Sequence, residues 1–94
     1  MISDARNIAR RQLGLITRQQ ALAHISDHQI RRLVESGQWE RRTHGLYAVA
    51  GAPRSYEQTV LAACLAGGPR AVASHDCAAR LLRLGIPYFD RAPP

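Results

Sequence analysis

Thr17-Arg-Gln-Gln-Ala-Leu-Ala23, Ser26-Asp-His-Gln-Ile-Arg-Arg-Leu-Val-Glu-Ser-Gly37 and Trp39-Glu-Arg-Arg-Thr-His-Gly-Leu-Tyr47 are the three runs that decide the fold. Thr17 with Gln20 three residues on is a capping-box pattern, and it opens a short helix that fades at His24-Ile25. Ser26 restarts the chain as the cap of a second helix, with Asp27 at the positive end of its macrodipole. Ile30, Leu33 and Val34 fall at i, i+3 and i+4 and form a core-facing stripe. The opposite face carries His28, Arg32 and Ser36, with Gln29 and Arg31 on its flanks, and Gly37 supplies the stop. Trp39–Arg42 and Leu46–Val49 then read as two strands around Thr43-His44-Gly45, where glycine can take positive φ. Alternation sets Trp39 and Arg41 against Glu40 and Arg42, and Trp39 and Tyr47 are expected on the packed face.

Upstream, Ser3 or Asp4 can cap a first helix with Ala5, Ile8, Ala9 and Leu13 as its buried stripe, and Gly14 ends it. Leu15-Ile16 is a short apolar link or a stub of strand. The resulting order of three helices and a two-stranded hairpin is that of a winged helix-turn-helix, an α+β and mostly helical fold. After Gly51-Ala52-Pro53 the composition changes. Ser55 with Gln58 is a further capping box, opening an almost wholly apolar helix through Leu65 that Gly67-Gly-Pro69 stops. Ser74 caps a last helix running to Gly85, with Pro87 beyond it and an unstructured tail from Arg91. The expected organisation is a winged domain over 1–51 and two additional helices in a helical extension over 52–94, the start of a truncated second domain. A helix as apolar as 55–66 must pack beneath the winged domain or against a partner.

Charge narrows the function classes. All thirteen basic residues are Arg, against seven acids, giving a net charge of +6 and a pI near 10.7. Arg binds phosphate bidentately and stacks on bases, so nucleic acid is the natural polyanion. Residues 1–51 hold eight Arg against four acids and residues 52–94 hold five against three. The excess is mild in both parts; placement sets the first apart, with Arg31-Arg32 on the second capped helix and Arg41-Arg42 on the ribbon beside it.

Little else in the chain suggests chemistry. No apolar run approaches the ~20 residues needed to span a bilayer, and Met1-Ile-Ser-Asp lacks the pattern of a secretory signal, so a cytoplasmic protein is expected. Cys64 and Cys77 lie in helical stretches without metal-ligand spacing and read as buried small hydrophobes of a reducing compartment. His24 and His28 are four apart but straddle the Ser26 cap, so they should not share one helix as a metal pair. His75-Asp76-Cys77 places adjacent side chains about 100° apart on a helix, which keeps thiol and imidazole from meeting. There is no carboxylate pair or acidic cluster for Mg²⁺, and Gly67-Gly68 stops a helix without cradling a nucleotide. No enzymatic activity, cofactor or metal is expected.

One family shares this pattern. Gly14-Leu-Ile-Thr-Arg-Gln-Gln-Ala, Ile30-Arg-Arg-Leu-Val-Glu-Ser-Gly-Gln-Trp-Glu-Arg41 and His44-Gly-Leu-Tyr-Ala-Val49 resemble the N-terminal winged domain of AbiEi-type antitoxins. Ala73-Ser-His-Asp-Cys-Ala-Ala-Arg-Leu-Leu-Arg-Leu-Gly85 is similar to that family's Ser-His-x-x-Ala-Ala-x-Leu segment. The resemblance implies a bacterial DNA-binding transcriptional regulator that represses its own toxin–antitoxin operon through promoter repeats, with antitoxic activity in a C-terminal domain. In similar proteins the winged module precedes an endonuclease-like domain instead, so only the DNA-binding half carries over. The partners to expect are double-stranded DNA and a toxin or a second copy of the chain. Helix 26–36 would enter the major groove with His28, Gln29 and Arg32 nearest the bases and Ser36 on the same face. Arg31, Arg41 and Arg42 would hold phosphates, with Thr17, Arg18 and His44 adding contacts at the helix start and the hairpin turn. The rival expectation is a protein-interaction module that binds a partner through the apolar region 55–84.

Overall fold

The computed structural model describes residues 2–67 and 75–85. Eight elements follow in order: α1 (Ile2–Arg11), β1 (Leu15–Thr17), α2 (Arg18–Leu22), α3 (Asp27–Glu35), β2 (Trp39–Thr43), β3 (Leu46–Val49), α4 (Tyr56–Ala66) and α5 (His75–Arg83). The fold is α+β, with helices on both faces of a three-stranded antiparallel sheet ordered β1-β3-β2. Ser74, Pro69, Pro87 and the tail, to which the sequence assigns a cap, stops and disorder, lie outside the described residues.

The sheet corrects the expectation of a two-stranded hairpin. Leu15-Ile16-Thr17 pairs with Ala48, Tyr47 and Leu46, which makes β3 the central strand. The reason is burial on both faces: Leu15, Ile16, Leu46, Tyr47 and Ala48 are all buried, and a lone ribbon would leave one of those faces wet. Period-two alternation sends Ile16, Tyr47 and Trp39 to one side, where they meet Ala5, Ala9, Ala21, Ile30 and Leu33 of the first three helices and Ile25 of the turn between α2 and α3. The Trp39 and Tyr47 rings lie 5.8 Å apart on this packed face. Leu15, Leu46 and Ala48 point to the other side and pack with Leu61, Cys64 and Leu65 of α4 and Leu81 of α5. The apolar helix therefore covers the sheet.

Local signals set the helix ends. Thr17 and Ser26 each close a full capping box, with Gln20 and Gln29 as the returning side chains. Ser55 caps α4 by accepting from the Gln58 N–H, but here the box is half made, because the Gln58 side chain goes elsewhere. Ser3 and Asp4 sit inside the first turn of α1 instead of capping it. Leu13 leaves the α1 stripe, takes φ +59° and joins the second core. At Gly14, with φ +88°, any Cβ would collide with the Cβ of Ala52. The tight crossing of the 13–15 link under the segment after β3 thus requires glycine.

Among the described residues, Gln12 and Gln58 are the buried polar ones. Gln12 donates from Nε2 to the Leu15 carbonyl (3.0 Å) and pairs with Gln20 through bonds of 2.9 Å in each direction. Gln58 donates to the Leu13 carbonyl at 2.8 Å. No buried polar side-chain atom among the described residues is left without a partner. Cys64 is buried and Cys77 half-buried in the second core. Burial first, then contact with Cys77, pushes the Cys64 thiol up to about 12, which suits a packing role.

Candidate nucleic-acid interface

Three pieces of backbone converge at the N-terminal end of α3. Arg18, the first residue of α2, donates its N–H to the Gly45 carbonyl of the hairpin turn at 2.8 Å. Its guanidinium reaches the other way, and Nη1 donates to Asp27 Oδ1 at 2.6 Å across the gap to α3. Arg31, one turn further along α3, approaches the other oxygen of Asp27 at 3.4 Å. One carboxylate thus sits between two guanidinium groups. The Arg18 bond is the main reason the Asp27 carboxyl lies below its ordinary value, with Arg31 adding to the pull. Arg18 is raised by the same contact, and then by the Tyr47 hydroxyl beside it.

Tyr47 connects this corner to the ribbon. Arg41 is its register partner on β2 and lies on the same sheet face as Trp39. The Arg41 guanidinium reaches back toward the turn, with Nη2 3.5 Å from His44 Nδ1. Arg18, Arg31, Arg41 and His44 therefore border one surface with Tyr47 in its floor. Along α3, His28, Arg32 and Glu35 project away from the buried Ile30–Leu33 stripe and are exposed. Arg31 is 75% exposed, and Arg32 and Arg41 have no carboxylate partner among the described residues.

Other expected contact residues are placed differently. Arg42 points to the opposite sheet face, is only 19% exposed, and donates to Glu40 Oε1 (2.8 Å) and to Gln58 Oε1 (3.2 Å). Glu40 also accepts from Arg54 at 3.0 Å, and its carboxyl is held below the ordinary value chiefly by Arg42. A strand alternates by two, so Arg41 and Arg42 cannot share a face; the four guanidinium groups read from the sequence reduce to three, joined by Arg18. Ser36 caps the far end of α3, where its Oγ donates to the Leu33 carbonyl. It lines an open cleft of about 630 Å³ with Arg6, Arg10 and Trp39, at the opposite end of α3 from the hairpin turn. The Thr17 hydroxyl accepts from Gln20 and the Gln29 carbonyl oxygen accepts from Ser26, so both are committed to caps. Gln29 keeps its Nε2 for an outside acceptor.

Two members of this surface escape the sequence reading. Asp27 reads only as a helix-start charge and Tyr47 only as core; nothing in their local pattern announces the Arg18 contact, nine residues upstream of Asp27. His24 lies 3.9 Å from Asp4, and among the described residues no group of three His, Cys, Asp or Glu could hold a metal. No helix among them is long and apolar enough to cross a membrane.

Residues 3–50 match the family described as transcriptional regulator, AbiEi antitoxin. The chain belongs to that family. The matched span runs from α1 to the end of β3 and contains every element of the surface described above. No curated protein and no solved structure is similar enough to the chain to count as a match.

Proposed function

We propose that this member of the AbiEi regulator family is a winged helix-turn-helix module that binds double-stranded DNA in a sequence-dependent way. The observation that carries the reading is the gathering of Arg18 and Arg31 at the start of an α3 that also exposes Arg32, next to the hairpin turn that bonds Arg18 and holds Arg41 beside His44. In this reading α3 enters the major groove. Arg32, His28 and the Gln29 amide meet base edges, while Arg31 and Arg41 hold phosphates and His44 touches the adjoining backbone. Thr17 and Ser36 act as caps, and Arg42 braces the ribbon from behind. Membership of an antitoxin family favours a finer reading, repression of the protein's own toxin–antitoxin operon through promoter repeats, with two copies on paired half-sites.

The test is fluorescence anisotropy of the wild type and Arg32→Ala against a duplex selected from a randomised pool and against its scrambled counterpart. A base-reading Arg32 costs about 1–3 kcal/mol on the selected duplex and much less on the scrambled one. Equal loss on both duplexes makes Arg32 a backbone contact. Absence of wild-type binding to either duplex at physiological salt removes the reading. A partner role for the 55–84 region has one observation in its favour: Tyr56 and Leu82 are exposed on helices whose apolar faces pack into the second core. That region would join a toxin or a second subunit while the α3 face stays on DNA.

A further inference from the structure

Asp27 stands out on the proposed DNA face. It is a half-buried carboxylate between two guanidinium groups, at the end of α3 that the groove would receive, with one oxygen 2.6 Å from Arg18 and the other 3.4 Å from Arg31. The Ser26–Gln29 capping box already caps the start of α3 without it. Surface ion pairs of this exposure add little to stability. Its position has a different consequence. An anionic phosphate that approaches Arg18 or Arg31 must displace the carboxylate and tolerate its charge nearby.

We infer that Asp27 is a specificity-determining residue, which withholds Arg18 and Arg31 from indiscriminate phosphate contact and releases them only when α3 is seated in register on its sequence. The inference rests on the DNA-binding reading above. Non-specific duplex binding is almost wholly phosphate attraction, so a carboxylate on the contact face lowers it most. On the cognate sequence, base contacts from α3 provide the additional free energy that exchanges Asp27 for phosphate around the two guanidinium groups. Tight binding to any sequence is thereby traded for discrimination.

Three variants test it: Asp27→Asn, Glu35→Gln, and Asp27→Asn in an Arg18→Ala/Arg31→Ala background. Each is compared with its parent on the selected and scrambled duplexes from about 50 to 200 mM salt, after circular dichroism has shown that it is folded. Asp27→Asn should tighten scrambled-duplex binding about threefold or more, as expected when a guanidinium is freed to pair with a phosphate. Its salt slope should steepen by about 0.9 to 1.8, the value of one or two freed guanidinium groups, and the selected-to-scrambled ratio should fall. Glu35→Gln removes an exposed carboxylate from the same helix that is not bonded to Arg18 or Arg31, so its slope should stay near wild type. In the double-Arg background, Asp27→Asn should change nothing. The inference is overturned if Glu35→Gln matches Asp27→Asn, if the effect survives without the two arginines, or if the ratio stays constant. A wild type that binds neither duplex removes the DNA reading and this inference together; a wild type that binds normally beside an unaffected Asp27→Asn removes the inference alone.

Discussion

Arg41 and Arg42 are adjacent in sequence, identical in charge and placed on opposite faces of one strand, so they form a matched pair for asking which face meets DNA. Arg41→Ala removes a guanidinium from the α3 side, where its contact is His44 at 3.5 Å. If that group neutralises one phosphate, the slope of log affinity against log salt should fall by about 0.9. Across a fourfold change from about 50 to 200 mM salt, the deficit of Arg41→Ala relative to wild type should therefore shrink roughly 3.5-fold. Arg42→Ala removes the same charge from the α4 side. It breaks bonds to Glu40 and to a Gln58 that is 1% exposed, leaving a buried amide oxygen without its donor. Such a loss costs about 1–2 kcal/mol of stability, and each kcal/mol lowers the Tm of a domain this size by roughly 4–8 °C. Its salt slope should stay at the wild-type value. The assay is anisotropy of a labelled non-specific duplex at several salt concentrations, paired with thermal denaturation of each variant. Equal slopes for the two variants, or a slope lost with Arg42 and kept with Arg41, would refute the assignment of the contact face.

Two further outcomes follow from the fold itself. Gly14→Ala and Gly37→Ala each impose positive φ on a residue with a Cβ, at φ +88° and +81°, a strain of about 1–2 kcal/mol. Only the first also drives a Cβ into Ala52, so in urea denaturation Gly14→Ala should be clearly the more damaging, and equal midpoints would remove the close crossing. Asp27 and Glu40 both have folded pKa values below their ordinary 3.8 and 4.5, so their stabilisation is present above those values and is lost as pH falls through the folded ones. Tm should hold from neutrality to about pH 5 and drop below about pH 4, less steeply in Asp27→Asn/Glu40→Gln; a drop already complete by pH 5 would contradict it.

The sequence was most legible where cause and effect lie within one turn or one strand. Thr17, Ser26 and Ser55 cap the helices they precede, Gly37 follows α3, and Trp39 and Tyr47 face the core, because each depends on neighbours two to four residues away. The third strand was legible only as a link or stub of strand at Leu15-Ile16, and its pairing was not, since the segment is short and its partner lies some thirty residues downstream. The Gln58 bond to Leu13 spans 45 residues and follows no periodicity. At the candidate site the exposed ridge of α3 could be read from helical spacing alone. The Asp27 contact could not, because an acid at a helix start already has a local explanation. Arg42 is the instructive case: the alternation that places Trp39 in the core also turns Arg42 away from α3, a direction that follows from strand periodicity alone.

The second core has a bearing on the first. Arg42 is braced by Gln58, Gln58 is anchored on the Leu13 carbonyl, and the Gly14 carbonyl accepts from the Val49 N–H of β3 at 2.8 Å. One helix of the 52–94 region therefore fastens the rear of β2 to the link entering β1, on the face opposite Tyr47 and Arg41. β2 is an edge strand, paired through β3 alone, and α4 backs it on the face away from α3. With α4 behind it, the ribbon can hold Arg41 and His44 at a fixed distance from α3, and fixed spacing is what allows a small basic surface to distinguish a groove from a generic polyanion. The apolar character of α4, which on sequence grounds could equally have signalled a missing partner, is thus accounted for in large part by the sheet it covers. Tyr56 and Leu82 are the large apolar side chains on α4 and α5 that this packing leaves exposed.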